Sequence, residues 1–177
     1  MPFETSSLTL GKAVATRTGS KNAPLSGDTV WLPGPLRVQW QPKGFDDSTR
    51  VSISFQSTDA AEDAVTGLEA WVMAIVADDP QQFLGQSLTA AQVKDRFVSC
   101  LKVSPMGVKT VRCKMNTNSV ACWDEAKEPR GVPDDWTAVS VKPRIVAKGV
   151  WAQSSQWGIL LELTDAQILD EAVVCPF

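Results

Sequence analysis

The sequence predicts a mostly-β domain with a helical insertion, an α+β chain of the barrel or sandwich type. Three observations predict it. Apolar and polar residues alternate over short runs before residue 57 and again after residue 98. Between those regions the apolar period changes to three and four. No repeat, heptad or low-complexity tract interrupts the pattern, and 177 residues suit one domain, or one domain with arms.

The elements follow in order. Ser, Thr, Gly, Lys and Asn dominate residues 5–27, with one apolar strip at Leu8 and Leu10, so 1–28 reads as a flexible N-terminal arm. Trp31-Leu32-Pro33-Gly34-Pro35 is a turn. Leu36, Val38 and Trp40 alternate with Arg37, Gln39 and Gln41, and Val51, Ile53 and Phe55 alternate with Arg50, Ser52 and Ser54. A period of two with one apolar face marks half-buried strands. Gly44 and Asp46-Asp47 connect them. Val65, Leu68, Val72 and Ile75 make 59–77 an amphipathic helix, capped through Asp59 and Glu62 and ended by Asp78-Asp79-Pro80. Thr89 and Gln92 form a capping box for a second helix over 90–97. Strands are expected at 98–103, 108–115, 120–123, 138–141, 144–152 and 156–163. The folded domain then spans 29–168, and 169–177 is a C-terminal tip.

Composition removes several chemistries. The chain has no histidine, so Ser-His-Asp and Cys-His nucleophiles cannot be built within it. Cys100, Cys113, Cys122 and Cys175 show no C-x-x-C spacing, so no metal site is expected and the thiols read as reduced, in an intracellular protein. No G-x-x-x-x-G-K or G-x-G-x-x-G occurs, and no cofactor is expected. Asp46/Asp47, Asp78/Asp79, Asp124/Glu125 and Asp134/Asp135 all lie beside turn residues, where Asp is common for local hydrogen bonding. An enzyme is therefore not expected. No apolar run is long enough to span a bilayer, and the first residues lack the pattern of a secretory signal, so no membrane role is expected.

Net charge is −3, but it is unevenly spread. Residues 100–150 carry net +4, while 51–99 carry −5 and 151–177 carry −4. Alternation puts Thr110, Arg112 and Lys114 on one face of a strand, with Lys109 on the other and Lys102 across the preceding turn. Lys142, Arg144 and Lys148 form a second row. Such rows suit a groove that tracks a phosphate backbone, or the solvated outer face of a sheet. Seven Trp and no Tyr supply stacking surfaces. Trp40, Trp71, Trp151 and Trp157 share the apolar faces and read as core. Trp31, Trp123 and Trp136 lie near turns or strand ends and read as exposed, Trp123 being the best placed.

Two resemblances add to this. The C-terminal stretch Asp170-Glu171-Ala172-Val173-Val174-Cys175-Pro176-Phe177 is similar to the tip of bacterial single-stranded DNA-binding proteins, with Cys175 in place of the expected aliphatic residue. That likeness implies replication partners contacted through Asp170, Glu171, Pro176 and Phe177. Over 36–169 the chain resembles OB-fold single-stranded DNA-binding proteins of large eukaryotic DNA viruses and their relatives. The resemblance rests on Val51-Ser52-Ile53-Ser54-Phe55, the Phe83-Leu84-Gly85 turn, the strand 108–115, and the late hairpin Gly149-Val150-Trp151 to Gln156-Trp157-Gly158-Ile159. Family members are usually more basic. The resemblance implies an OB-like β-barrel with a two-helix insertion, and single-stranded DNA as the ligand.

The combined expectation is sequence-tolerant single-stranded DNA binding in replication, recombination or repair. Lys102, Lys109, Arg112, Lys114, Lys142, Arg144 and Lys148 would meet the backbone, and Trp123 and Trp31 the bases. A homo-oligomer in a nucleus or viral replication compartment is expected. The rival reading is a structural or assembly protein without nucleic-acid affinity, suggested by the acidic balance, the strand-rich chain and an arm suited to exchange between subunits.

Overall fold

The computed structural model describes residues 3–44 and 49–169. In chain order these hold a 3-10 turn (Thr5–Ser7) and the strands β1 (Thr9–Leu10), β2 (Val14–Ala15), β3 (Lys21–Ser26), β4 (Val30–Trp31), β5 (Leu36–Lys43) and β6 (Arg50–Gln56). Three helices follow: α1 (Asp59–Asp78), α2 (Pro80–Leu84) and α3 (Ala90–Asp95). The remaining strands are β7 (Phe97–Val98), β8 (Leu101–Val103), β9 (Lys109–Asn116), β10 (Ala121–Trp123), β11 (Pro129–Arg130), β12 (Ser140–Ala152) and β13 (Trp157–Leu169). The fold is mostly β with few helices, as the alternating pattern predicted.

Strand pairing closes a ring. β5 pairs with β6, β6 with β9, β9 with β13, β13 with β12, and β12 returns to β5. All are antiparallel except β9–β13, which is parallel. The alternation explains the core. Val51, Ile53 and Phe55 of β6 point inward with Val111, Cys113 and Met115 of β9 and Ile159, Leu161 and Leu163 of β13. Each large side chain buried this way contributes roughly 1.5–3 kcal/mol. The buried stripe of α1, Val65, Leu68, Val72 and Val76, joins the same core.

Several expectations change. Part of the segment read as an arm joins the sheet. β3 pairs with Gly149–Ala152 of β12, and Phe3, Leu8, Ala23 and Leu25 are buried. The polar composition hid those few apolar anchors, which alternate correctly only along β3. The two strands expected at 138–141 and 144–152 are one strand, β12, with Pro143 between the stretches that pair with β5 and β4. The cap of α1 is Thr58, whose Oγ1 accepts from Ala61 N, one residue before the Asp59 expected. Asp79 does not simply end α1. Its carboxylate accepts from Gln82 N and starts α2, with Pro80 in the first turn where no amide is needed. The Thr89–Gln92 capping box of α3 forms as read, with both reciprocal bonds present.

Candidate nucleic-acid interface

The outward residues of β6 and β9 pair across the sheet: Arg50 with Asn116, Ser52 with Lys114, Ser54 with Arg112. Arg112 Nη2 and Lys114 Nζ both donate to Ser52 Oγ, at 3.2 and 2.9 Å. One hydroxyl thus gathers two cations. Lys114 is half-buried, and its pKa is lowered by desolvation and by the charges of Arg112 and Arg50. Where burial first and neighbouring cations second lower a lysine's pKa, a bound anion would offset both.

Three concavities adjoin this cluster and share walls. The largest, about 580 Å³, lies between Arg50, Lys114, Lys148 and Trp151. The second, about 290 Å³, lies between Lys102, Arg112, Lys114 and Trp151. The third, also about 290 Å³, lies between Trp40, Lys43, Lys102 and Arg112. Together they make one groove that crosses the strands, with six cations and two indoles on its walls. Among the described residues, no carboxylate side chain lines any of the three.

The two indoles reach the groove by the same device. Between Val38 and Trp40 the β5–β6 register slips, so that two residues of β5 oppose one step of β6. Val38 stays inward opposite Phe55, while Trp40 turns outward opposite Ser54 and is 46 % exposed. β12 slips likewise between Ala147 and Gly149, leaving Lys148 as the extra residue. Ala147 points inward and Trp151 outward, although simple alternation puts them on one face. A β-bulge re-aims side chains in this way. Gly149 allows it, because a Cβ there would stand 2.2 Å from the carbonyl oxygen of Ala23 in β3.

Trp151 also needs Gly158. A Cβ on Gly158 would lie 3.0 Å from the Trp151 ring and 2.7 Å from Val98 O, so the indole lies directly over the glycine. Trp157 faces the other way. It is buried, and its Nε1 donates to Val93 O of α3 at 2.7 Å. The late hairpin motif thus combines one core tryptophan with one groove tryptophan and the glycine beneath it.

Lys102 is placed by a half-buried carboxylate. Glu69 of α1 accepts from Ser99 Oγ at 2.9 Å and from Cys100 N at 2.6 Å. These bonds fix the turn from which β8 and Lys102 depart. Burial raises the Glu69 pKa, opposed by those hydrogen bonds and by the Lys102 charge.

Of the expected contacts, Lys102, Arg112, Lys114 and Lys148 come together in the groove. Lys148 lies 3.8 Å from Glu162, a partly exposed pairing of small energetic weight. Lys109 instead pairs with Glu62 of α1 at 2.8 Å, and Arg144 with Asp165 at 3.3 Å. Trp123 and Lys142 both stand opposite Gln167, seven residues along β13 from the groove residue Leu160. The exposure expected of Trp31 and Trp136 is corrected. Each is 2 % exposed, and Trp31 packs on Phe3 with ring centroids 5.4 Å apart. The N-terminal segment supplies that cover, which its composition did not reveal. Conversely Trp40 and Trp151, read as core, are groove residues, and Arg50 and Lys43 were passed over. Arg50 was legible from the outward parity of β6, but the two indoles were not, because a bulge leaves no simple trace in alternation. Asp170, Glu171, Pro176 and Phe177 lie outside the described residues, as do Asp46 and Asp47. One member of each other acidic pair serves a local cap or turn: Asp79 accepts from Gln82 N, Asp124 from Glu128 N and Asp135 from Thr137 N.

No family model matches the chain, and no curated protein matches it. Among solved structures, the chain is similar to the single-stranded DNA-binding protein gp2.5 encoded by bacteriophage T7. The TM-score is 0.49 at 10 % identity, over 80 % of this chain and 86 % of that one.

Proposed function

We propose that this protein binds single-stranded DNA, with little dependence on sequence, along the groove formed by β5, β6, β9, β13 and β12. The observation that carries the proposal is the pair of bulges that turn Trp40 and Trp151 out of the core and onto a cationic face. A single strand offers both a charged backbone and free base faces, and this groove offers both complements. Base–aromatic stacking is worth about 1–3 kcal/mol per base and tolerates any sequence. Five strands span roughly 20 Å at ~4.8 Å spacing, which suits the lower end of the about 4–16 nucleotides held by one such domain.

The ring order supports an OB-like reading. Numbered by appearance, its strands follow 1-2-3-5-4 and return to 1, with the groove on strands 2 and 3, the face such folds use for oligonucleotides. The proposed biological setting is replication, recombination or repair, with the C-terminal tip recruiting partner proteins.

The test is a binding titration at several salt concentrations. Each lost phosphate contact flattens the log–log salt dependence by about 0.7 for a single strand. Arg112→Ala with Lys114→Ala should weaken binding and reduce the slope by about 1.4, the sum for two contacts. Lys109→Ala, whose lysine is held by Glu62, should change the slope little. Equal effects of the two variants would exclude the groove as the binding face.

A further inference from the structure

The middle of the groove is built by a segment that changes partners. β7 runs parallel to β13, with Phe97 opposite Trp157 and Val98 opposite Gly158. Just beyond it β8 pairs with β9 instead, with Leu101 opposite Val111 and Lys102 opposite Thr110. Ser99 and Cys100 carry the chain across from one strand to the other, outside both ladders. The second concavity opens at this crossing, with Ser99, Cys100, Lys102 and Arg112 among its walls. The crossing is tied to three elements. Cys100 O accepts from Arg112 N of β9 at 2.8 Å, and Cys100 Sγ donates to Ile159 O of β13 at 3.4 Å. Cys100 N donates to Glu69 Oε1 of α1 at 2.6 Å. Ser99 Oγ also donates to the Glu69 carboxylate, at 2.9 Å from each oxygen, and itself accepts from Leu101 N at 2.9 Å. Glu69 lines none of the three concavities, yet its carboxylate meets two successive residues of the crossing and reaches a third through Ser99.

We infer that Glu69 is a positioning residue for DNA binding: from α1 it holds the 99–101 crossing and so sets where Lys102 meets the strand, without touching DNA itself. The inference rests on the single-strand reading and deepens it, giving the helical insertion a part in binding. Among the described residues Cys100 N has no other acceptor, and Cys100 is buried. A buried donor left unpaired is costly, so without Glu69 the crossing must shift to find a partner. Lys102, two residues on, shifts with it, and Lys102 lines the second and third concavities alike. The charge of Glu69 works in the opposite direction. Glu69 is close enough to Lys102 for the lysine's charge to act on its pKa, so by charge alone it opposes a polyanion in the groove. What a carboxylate offers here is two acceptor oxygens and no donor, whereas an amide offers one oxygen only. Position and charge therefore predict opposite signs when the side chain is removed.

The test measures oligo-dT affinity across a salt series for the wild type, Glu69→Ala, Glu69→Gln, Lys102→Ala and the Glu69→Ala/Lys102→Ala double variant. Glu69→Ala should weaken binding and lower the log–log slope by about 0.7, one phosphate contact, or about fivefold in affinity for each tenfold change in salt. Lys102→Ala should do the same. The double variant should lose no more than either, because both changes remove one contact. Glu69→Gln keeps an acceptor for Cys100 N and should recover most of the slope. If Glu69→Ala does not fold, Ser99→Ala, which cuts the link to Leu101 N and leaves the carboxylate on Cys100 N, takes its place in the same cycle. Binding by Glu69→Ala as tight as the wild type or tighter, a Lys102→Ala slope equal to the wild type, or losses that add to about 1.4 in the double variant, each overturns the positioning role and leaves the single-strand reading standing. Absence of salt-sensitive oligo-dT binding by the wild type overturns the single-strand reading, and the positioning role with it.

Discussion

At the scale of single residues, the groove works by holding cations close together, Arg112 and Lys114 on one hydroxyl, while Lys148 also has the Glu162 carboxylate 3.8 Å away. Lys114 is the clearest case, since burial and the charges of Arg112 and Arg50 depress its pKa. A bound polyanion raises that pKa again, so binding takes up a proton wherever free Lys114 is partly neutral. The sign follows: affinity falls as pH rises through the depressed pKa, earlier than an ordinary lysine near 10.4 would allow. Lys114→Arg keeps its charge throughout that range. Its binding curve should therefore stay flat with pH where the wild-type curve declines. Titrations at a series of alkaline pH values, at fixed ionic strength, check this. Parallel pH curves for the two proteins would remove Lys114 from the interface.

At the scale of elements, the bulges and the late hairpin decide what the sheet presents. The Trp151 ring lies over Gly158, with Val98 O on the same side. Gly158→Ala forces the indole or the β7–β13 pairing to move. Overpacking of this kind typically costs about 1–3 kcal/mol, and a melting curve should register it. The same substitution should weaken oligonucleotide binding beyond what the stability loss explains, because Trp151 no longer rests in the groove wall. A variant as stable and as tight-binding as the wild type would show that the contact is not structural. Most of this architecture was readable in advance. Alternation identified β5, β6, β9 and their inward faces, and Thr89 with Gln92 announced α3. What alternation could not deliver were the two register slips. Once β5 slips after Val38, the parity that puts Leu36 inward no longer applies to Trp40, and the same holds for Ala147 and Trp151. Pairing partners set a bulge, and those lie far away in sequence.

At the scale of the whole molecule, charge is segregated rather than balanced. The chain carries net −3, yet its groove gathers Lys43, Arg50, Lys102, Arg112, Lys114 and Lys148. Acidic residues concentrate on the helical insertion, where Glu62 occupies Lys109 and Glu69 positions the turn before Lys102. Net charge therefore says little about the ligand, since the local field of a cleft lined by one sign governs association. The sequence showed the basic segment at 100–150 but not that β5 and β6 complete it. That completion depends on β6 pairing with β9, which sets Arg50 beside a strand some sixty residues later, and on β5 pairing with β6, which sets Lys43 opposite Ser52.

Intrinsic tryptophan fluorescence during titration with oligo-dT at low salt tests the groove most directly. The wild-type protein should be quenched, and the quenching should disappear at high salt. Trp40→Phe with Trp151→Phe should lose most of the quenching, while Trp31→Phe and Trp136→Phe, which alter buried rings, should retain it. Quenching that persists undiminished in the Trp40/Trp151 double variant, or no salt-sensitive quenching in the wild type, would contradict a single strand stacked along this groove.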